Sequence, residues 1–132
     1  MNFGFTEEQE LLRAEVRKFL DQNASLERVR EIVETESGMD PALWARMAEL
    51  GWVGLNMPEE HGGMGLDLET LLVVLEETGR TLFPSPLIST VLAAKAIERF
   101  GSEAHAARWL PGLADGSKIG RASCRERVYV LV

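Results

Sequence analysis

From residue 6 to about residue 118, apolar positions recur every three or four residues between Gly, Pro and short polar stretches, a spacing that predicts helices throughout. Thr6 with Gln9 three residues on makes a capping-box pair, and Glu7 and Glu8 sit at the positive end of the helix dipole. Leu12, Val16, Phe19 and Leu20 then form one apolar stripe. A shorter helix is predicted from about Ser25 to Thr35, with Leu26, Val29 and Val33 inward, and "ESGMD" breaks it. The third has Asp40 as cap and Pro41 at its first position, turns Leu43, Trp44, Met47 and Leu50 inward, and stops at Gly51. A fourth, capped by Asp67, presents Leu68, Leu71, Leu72 and Leu75. After "GRTLFPSP" a fifth runs from about Pro86 with Leu87, Val91, Ala94 and Ile97 inward and Gly101 as its stop. Ser102 caps a short sixth, anchored by Trp109 and Leu110 and ended by Pro111.

No alternating strand pattern precedes residue 119 and no internal repeat is present. The expected fold class is all-α: a bundle of about six short helices, whose short connections favour antiparallel neighbours. Residues 3–118 form the expected domain. Residues 119–132 form a tail of different character, with three arginines, the only cysteine and the only tyrosine, and its "RVYVLV" reads as strand.

Composition narrows the function. The 132 residues are 45% hydrophobic and 27% charged, the profile of one soluble globular domain. Such a chain buries roughly two thirds of its unfolded surface, enough for a real core. Setting aside Arg121, Arg125, Arg127 and Glu126, residues 1–120 hold 11 basic and 20 acidic side chains, a net charge of -9. That surface repels phosphates, so nucleic acid is excluded as a partner. No apolar run approaches the roughly 20 residues that cross a bilayer, and "MNFGFTEEQE" lacks the basic and apolar regions of a signal peptide. A lone Cys124 allows no internal disulfide and suits a reducing compartment, so the cytoplasm is the expected location.

Candidate chemistry is sparse. Gly62, Gly63 and Gly65 suggest a phosphate cradle, but no strand precedes them, no Gly-Lys-Ser/Thr follows, and Glu59 and Glu60 oppose an anion. Tight-turn glycines are the simpler reading. His61 and His105 have no local nucleophile, orienting partner or metal-ligand spacing, so no metal site is expected. Glu76 and Glu77 point about 100° apart on a helix and cannot share one acid–base site, while Arg80 can reach either.

The segments "FTEEQELLRAEVRKFLD", "PALWARMAELGWVGLNMPEEHGGMGLD", "LLVVLEETGR" and "FGSEAHAARWLPGLADGSKIG" resemble, in order and spacing, the N-terminal helical domain of the acyl-CoA dehydrogenases over about residues 3–120. The resemblance implies a parent of three parts: this helical domain, a β-barrel and a C-terminal four-helix domain. It implies FAD, held mostly by the other two parts and a neighbouring subunit, and an electron-transfer partner. A glutamate of the C-terminal domain would take the α-proton of an acyl-CoA, and the β-hydrogen would leave as hydride to the flavin. The parent would be a homo- or hetero-oligomer. The N-terminal domain of this family walls the acyl cavity, and the matching "LFPSPLISTVL" makes Phe83, Ser85, Ile88, Ser89 and Leu92 the candidate substrate-binding residues. Ile88 and Leu92, one turn apart, also suit a plain bundle core. "FPSPLIST" resembles a branch that handles bulkier or atypical acyl-CoAs. No catalytic residue is expected in this chain.

After "KIG" the family continues with an apolar strand and a Thr-Glu-Pro-like element, whereas this chain has "RASCRERVYVLV". "IGRASCRERV" is similar to one frame of a common DNA-sequencing adapter, so residues 119–132 are expected to derive from adapter sequence. The fragment alone is then expected to be inactive. The alternative is a stand-alone, non-catalytic helical interaction module. A nucleic-acid or membrane anchor in the tail is excluded: about 1 kcal/mol per basic residue is too little on so acidic a domain.

Overall fold

The computed structural model describes residues 4–121 and the backbone of residues 129–131. Six α-helices carry the fold: α1 Glu7–Asn23, α2 Leu26–Val33, α3 Pro41–Glu49, α4 Leu68–Arg80, α5 Leu87–Phe100 and α6 Glu103–Ala114. One 3-10 turn spans Glu59–His61. The extended pieces among the described residues are β1 Ile119–Arg121 and β2 Tyr129–Leu131, antiparallel with Ile119 opposite Leu131. The all-α class therefore holds.

The caps form where the sequence placed them. Thr6 and Gln9 close a reciprocal capping box, Asp40 accepts from the amides of Ala42 and Leu43, and Asp67 accepts from Thr70. The α3 terminus closes when the Gly51 and Trp52 amides bond back to the Ala48 and Met47 carbonyls, a Schellman pair.

The main core joins α1, α2 and α3 to α4 and the start of α5, with Val16, Leu20, Met47 and Val74 fully buried. Phe19 meets Trp52 edge-to-face with ring centroids 5.2 Å apart. A second cluster sits between α5 and α6, around Met57, Ala94, Leu110 and Leu113.

Several inward assignments shift by part of a turn. α2 buries Val29 and Ile32 and leaves Leu26 and Val33 exposed. Leu50 is half in solvent because it is the C-cap of α3, where the chain turns away. α4 buries Leu71, Val73, Val74, Glu77 and Thr78, so Leu68 and Leu72 face solvent. Pro111 does not end α6, which runs on to Ala114 with Leu113 and Ala114 buried. Burial of those two side chains outweighs the one amide that proline lacks. Gly101 follows α5 in an extended conformation; a Cβ there would lie 2.5 Å from the Ile97 carbonyl oxygen.

α1 and α4 run parallel. Gln9 donates to Thr70, Arg13 to Glu76, Arg17 to Glu77 and Arg80 to Asp21, so the partners advance together along both helices. Antiparallel packing is expected only between helices joined by a short link, and these two are separated by two others.

Candidate functional site

The candidate site is built on α5 and the link that feeds it. α4 closes in a Schellman pair, with Leu82 donating to Gly79 and Phe83 to Thr78. Leu82 takes the left-handed conformation that this motif requires, with φ of 54°, and its side chain is 68% exposed. The next residue, Phe83, turns into the main core. Ser85 is half-buried in the link. Ser89 uses its hydroxyl inside the first turn, donating to the Pro86 carbonyl at 3.0 Å.

Ile88 and Leu92 do not join the bundle core: they are 60% and 55% exposed. Continued at helical spacing, their stripe reaches Lys95 and Arg99. α5 is thus two-faced. Its inner side carries Thr90, Ala93 and Ala94, all fully buried, and β1 lies against them. The Gly120 amide donates to Thr90 Oγ1 at 3.2 Å, and a Cβ on Gly120 would come within 2.5 Å of Ala93 Cβ. The structure therefore separates the five candidates: Ile88 and Leu92 lie on the open stripe, Ser85 and Ser89 near its start, and Phe83 in the core.

A groove of about 540 Å³ opens beside Leu92, lined by Asn56, Leu68, Val91, Leu92, Lys95, Glu98 and Arg99. The sequence reading had placed Leu68 in the core and had not singled out Asn56, Lys95 or Arg99. The signal for the two cations was present as the i, i+4, i+7, i+11 continuation of Ile88 and Leu92.

The other candidates resolve into structural roles. His105 Nδ1 accepts from the Ser102 amide while Ser102 Oγ accepts from the His105 amide, so His105 completes the α6 cap. His61 ends the 3-10 turn, its Nε2 3.6 Å from Glu60. Among the described residues no three His, Cys, Asp or Glu side chains come together as metal ligands. The glycine loop is closed on itself: a Cβ at Gly63 would lie 2.2 Å from the Met57 carbonyl oxygen. With Glu59 packed beside Gly65, this loop does not fit the phosphates of a dinucleotide.

Glu77 is the one deeply buried carboxylate among the described residues, at 1% exposure. Hydrogen bonds from Arg17, then from Arg80, outweigh the cost of burial and lower its pKa to about 2. With its acceptors filled by these arginines, Glu77 joins two helices and is no proton carrier near neutrality.

The family model described as acyl-CoA dehydrogenase, N-terminal domain, matches residues 6–117. The acyl-CoA dehydrogenase IpdE2 of Mycolicibacterium smegmatis is 44% identical over 116 residues, which cover 87% of this chain and 36% of that protein. Acryloyl-CoA reductase (NADH) of Anaerotignum propionicum is 30% identical over 96% of this chain and 32% of its own length. Among solved structures, a Tcur3481-Tcur3483 steroid ACAD variant superposes with a TM-score of 0.79 at 39% identity, over 86% of this chain and 31% of that one. The ChsE4-ChsE5 complex from Mycobacterium tuberculosis gives 0.81 at 29% identity, over 90% and 33%. The chain thus spans about a third of the length of the relatives it matches.

Proposed function

The chain belongs to the acyl-CoA dehydrogenase family, as its N-terminal domain, and on that premise we propose that its parent is an FAD-dependent dehydrogenase of acyl-CoA thioesters in the cytoplasm. In this reading α5 and the link before it form one wall of the acyl cavity, with Ile88 and Leu92 as its lining, Ser85 and Ser89 at its start and Phe83 backing it from the core, and a bulky acyl group fills it. The observation that carries the reading is the open stripe of α5: Ile88 and Leu92 stay in water at 60% and 55% exposure, while Leu87, Thr90, Val91, Ala93, Ala94 and Ile97 on the inner side of the same helix are buried. Exposed branched side chains in register on one helix suit a surface meant to be covered. The similarity to a steroid ACAD supports the bulky acyl group, and the paired names in two related structures support an oligomeric parent.

The flavin is assigned to the rest of the parent. The closed glycine loop and its glutamates offer no cradle for the pyrophosphate of FAD, and in this reading the domain supplies shape to the acyl cavity. By itself the chain is inactive.

Sequencing the gene across residue 118 and onward tests the parent. The expected result is an open frame encoding a barrel and a C-terminal helical domain; clean reads through the present tail to a stop would overturn it. Mixing the chain with FAD and desalting tests the cofactor assignment. A colourless protein is expected, and a stable yellow complex would overturn it.

A further inference from the structure

We propose that the groove between the start of α4 and the second half of α5 is an amphiphilic ligand subsite for an acyl group whose apolar body ends in a carboxylate. The proposal rests on the reading of α5 as a wall of the acyl cavity and names what that wall would select. Leu68 and Leu92, 57% and 55% exposed, converge with Val91 on one concavity of about 540 Å³. Each leaves apolar area in water until something apolar covers it.

The far end of the same groove carries Lys95 and Arg99 against the single carboxylate of Glu98, a cationic excess in a domain whose residues 1–120 carry a net charge of -9. Lys95 is already matched, its Nζ 2.6 Å from Glu98. Arg99 is not: among the described residues it has no carboxylate partner, and its guanidinium only overlies the ring of Phe100 at 5.8 Å. Phe100 is itself 82% exposed, so that contact buries little. A guanidinium with an open fork binds a carboxylate through two parallel hydrogen bonds. The Asn56 amide donates to the Leu66 carbonyl at 3.1 Å and carries no charge, so Arg99 is the unmatched cation that selects an anion. Leu92 and Arg99 stand two turns apart, about 10 Å along the axis. That span sets the distance between the apolar body and its acid.

Amide chemical shifts of the isotope-labelled 132-residue chain, titrated with octanoate and separately with octanol, test the subsite. Octanoate is expected to move the amides of Leu68 and of residues 91–99, and octanol to bind at least five-fold more weakly. Arg99→Ala and Arg99→Gln should each weaken octanoate at least five-fold, while Arg108→Ala, on α6 over Trp109, leaves it unchanged. Equal binding of acid and alcohol, shifts elsewhere, or indifference to both Arg99 variants would overturn the proposal. The outcomes separate from those for the parent enzyme. A missing downstream frame removes the acyl-CoA reading but leaves the titration as measured. A failed titration removes the subsite even where that frame is present.

Discussion

The Glu77 carboxylate lies 2.6 Å from Arg17 Nη2 and 2.8 Å from Arg80 Nε, and this pairing fastens α1 to α4. A carboxylate so buried is tolerable only while both arginines hydrogen-bond to it. Its folded pKa, about 2, lies below the ordinary 4.5, so the unfolded chain takes up the proton first as pH falls. The stabilisation is therefore complete above about pH 4.5 and is lost as pH falls toward 2, with a magnitude on the order of 3 kcal/mol. Glu77→Gln removes this dependence. Urea unfolding at several pH values should show the wild type ahead at pH 7 and the two proteins converging at pH 2. A gap that stays constant with pH would refute the assignment.

Leu82 closes α4 in a conformation that costs a non-glycine residue about 1–2 kcal/mol. Its side chain is 68% exposed, so little burial is lost on removing it. Glycine regains the strain but has more freedom to lose on folding, about 0.5–1 kcal/mol. Leu82→Gly should thus stabilise the chain by about 0.5–1 kcal/mol, read as a rise in thermal midpoint. Leu82→Ala keeps the Cβ that causes the strain and should bring no such gain.

The caps and breaks of the helices were legible because each is local: Thr6 with Gln9, Asp40 before Pro41, Asp67 before Leu68. The inward face of α4 was not. A hydrophobic count prefers Leu68 and Leu72 to Glu77, and only the arginines at positions 17 and 80 reverse that preference. Arg17 is 60 residues away in sequence, where no periodicity can see it. The same rotation brings Leu68 out to the groove beside Leu92, so the error about the core concealed part of the candidate site. Pro111 misled for a related reason: its breaking tendency is local, while the burial of Leu113 and Ala114 that overrides it depends on α5 and β1.

The contact of β1 with α5 is close enough to test with one methyl group. An alanine at Gly120 would bring its Cβ 2.5 Å from Ala93 Cβ and 3.2 Å from Thr90 Cα, neither of which can swing aside. Overpacking of this kind costs about 1–3 kcal/mol. Gly120→Ala should lower the denaturation midpoint accordingly. Thr90→Val, which removes the acceptor of the Gly120 amide, should cost about 1–3 kcal/mol by leaving that buried donor unpaired. Two neutral results would mean that β1 does not dock on α5.

The two faces of α5 predict opposite consequences for neighbouring residues. Val91 is 9% exposed within the main core, so Val91→Ser should cost about 2–3 kcal/mol in apolar burial and an unmet hydroxyl. Leu92 and Ile88 are more than half exposed, and serine at either should change stability by no more than about 0.5 kcal/mol. For the proposed parent enzyme the order should reverse: with α5 as a wall of the acyl cavity, Leu92→Ser should raise the KM for a bulky acyl-CoA several-fold while kcat changes less, because the side chain would meet the acyl body and not the reacting carbons. Stability measured on this chain and KM measured on the parent together separate a binding face from a packing face. If Leu92→Ser destabilised the chain as much as Val91→Ser, the open stripe would belong to the fold, and its exposure would not mark a surface waiting for a ligand.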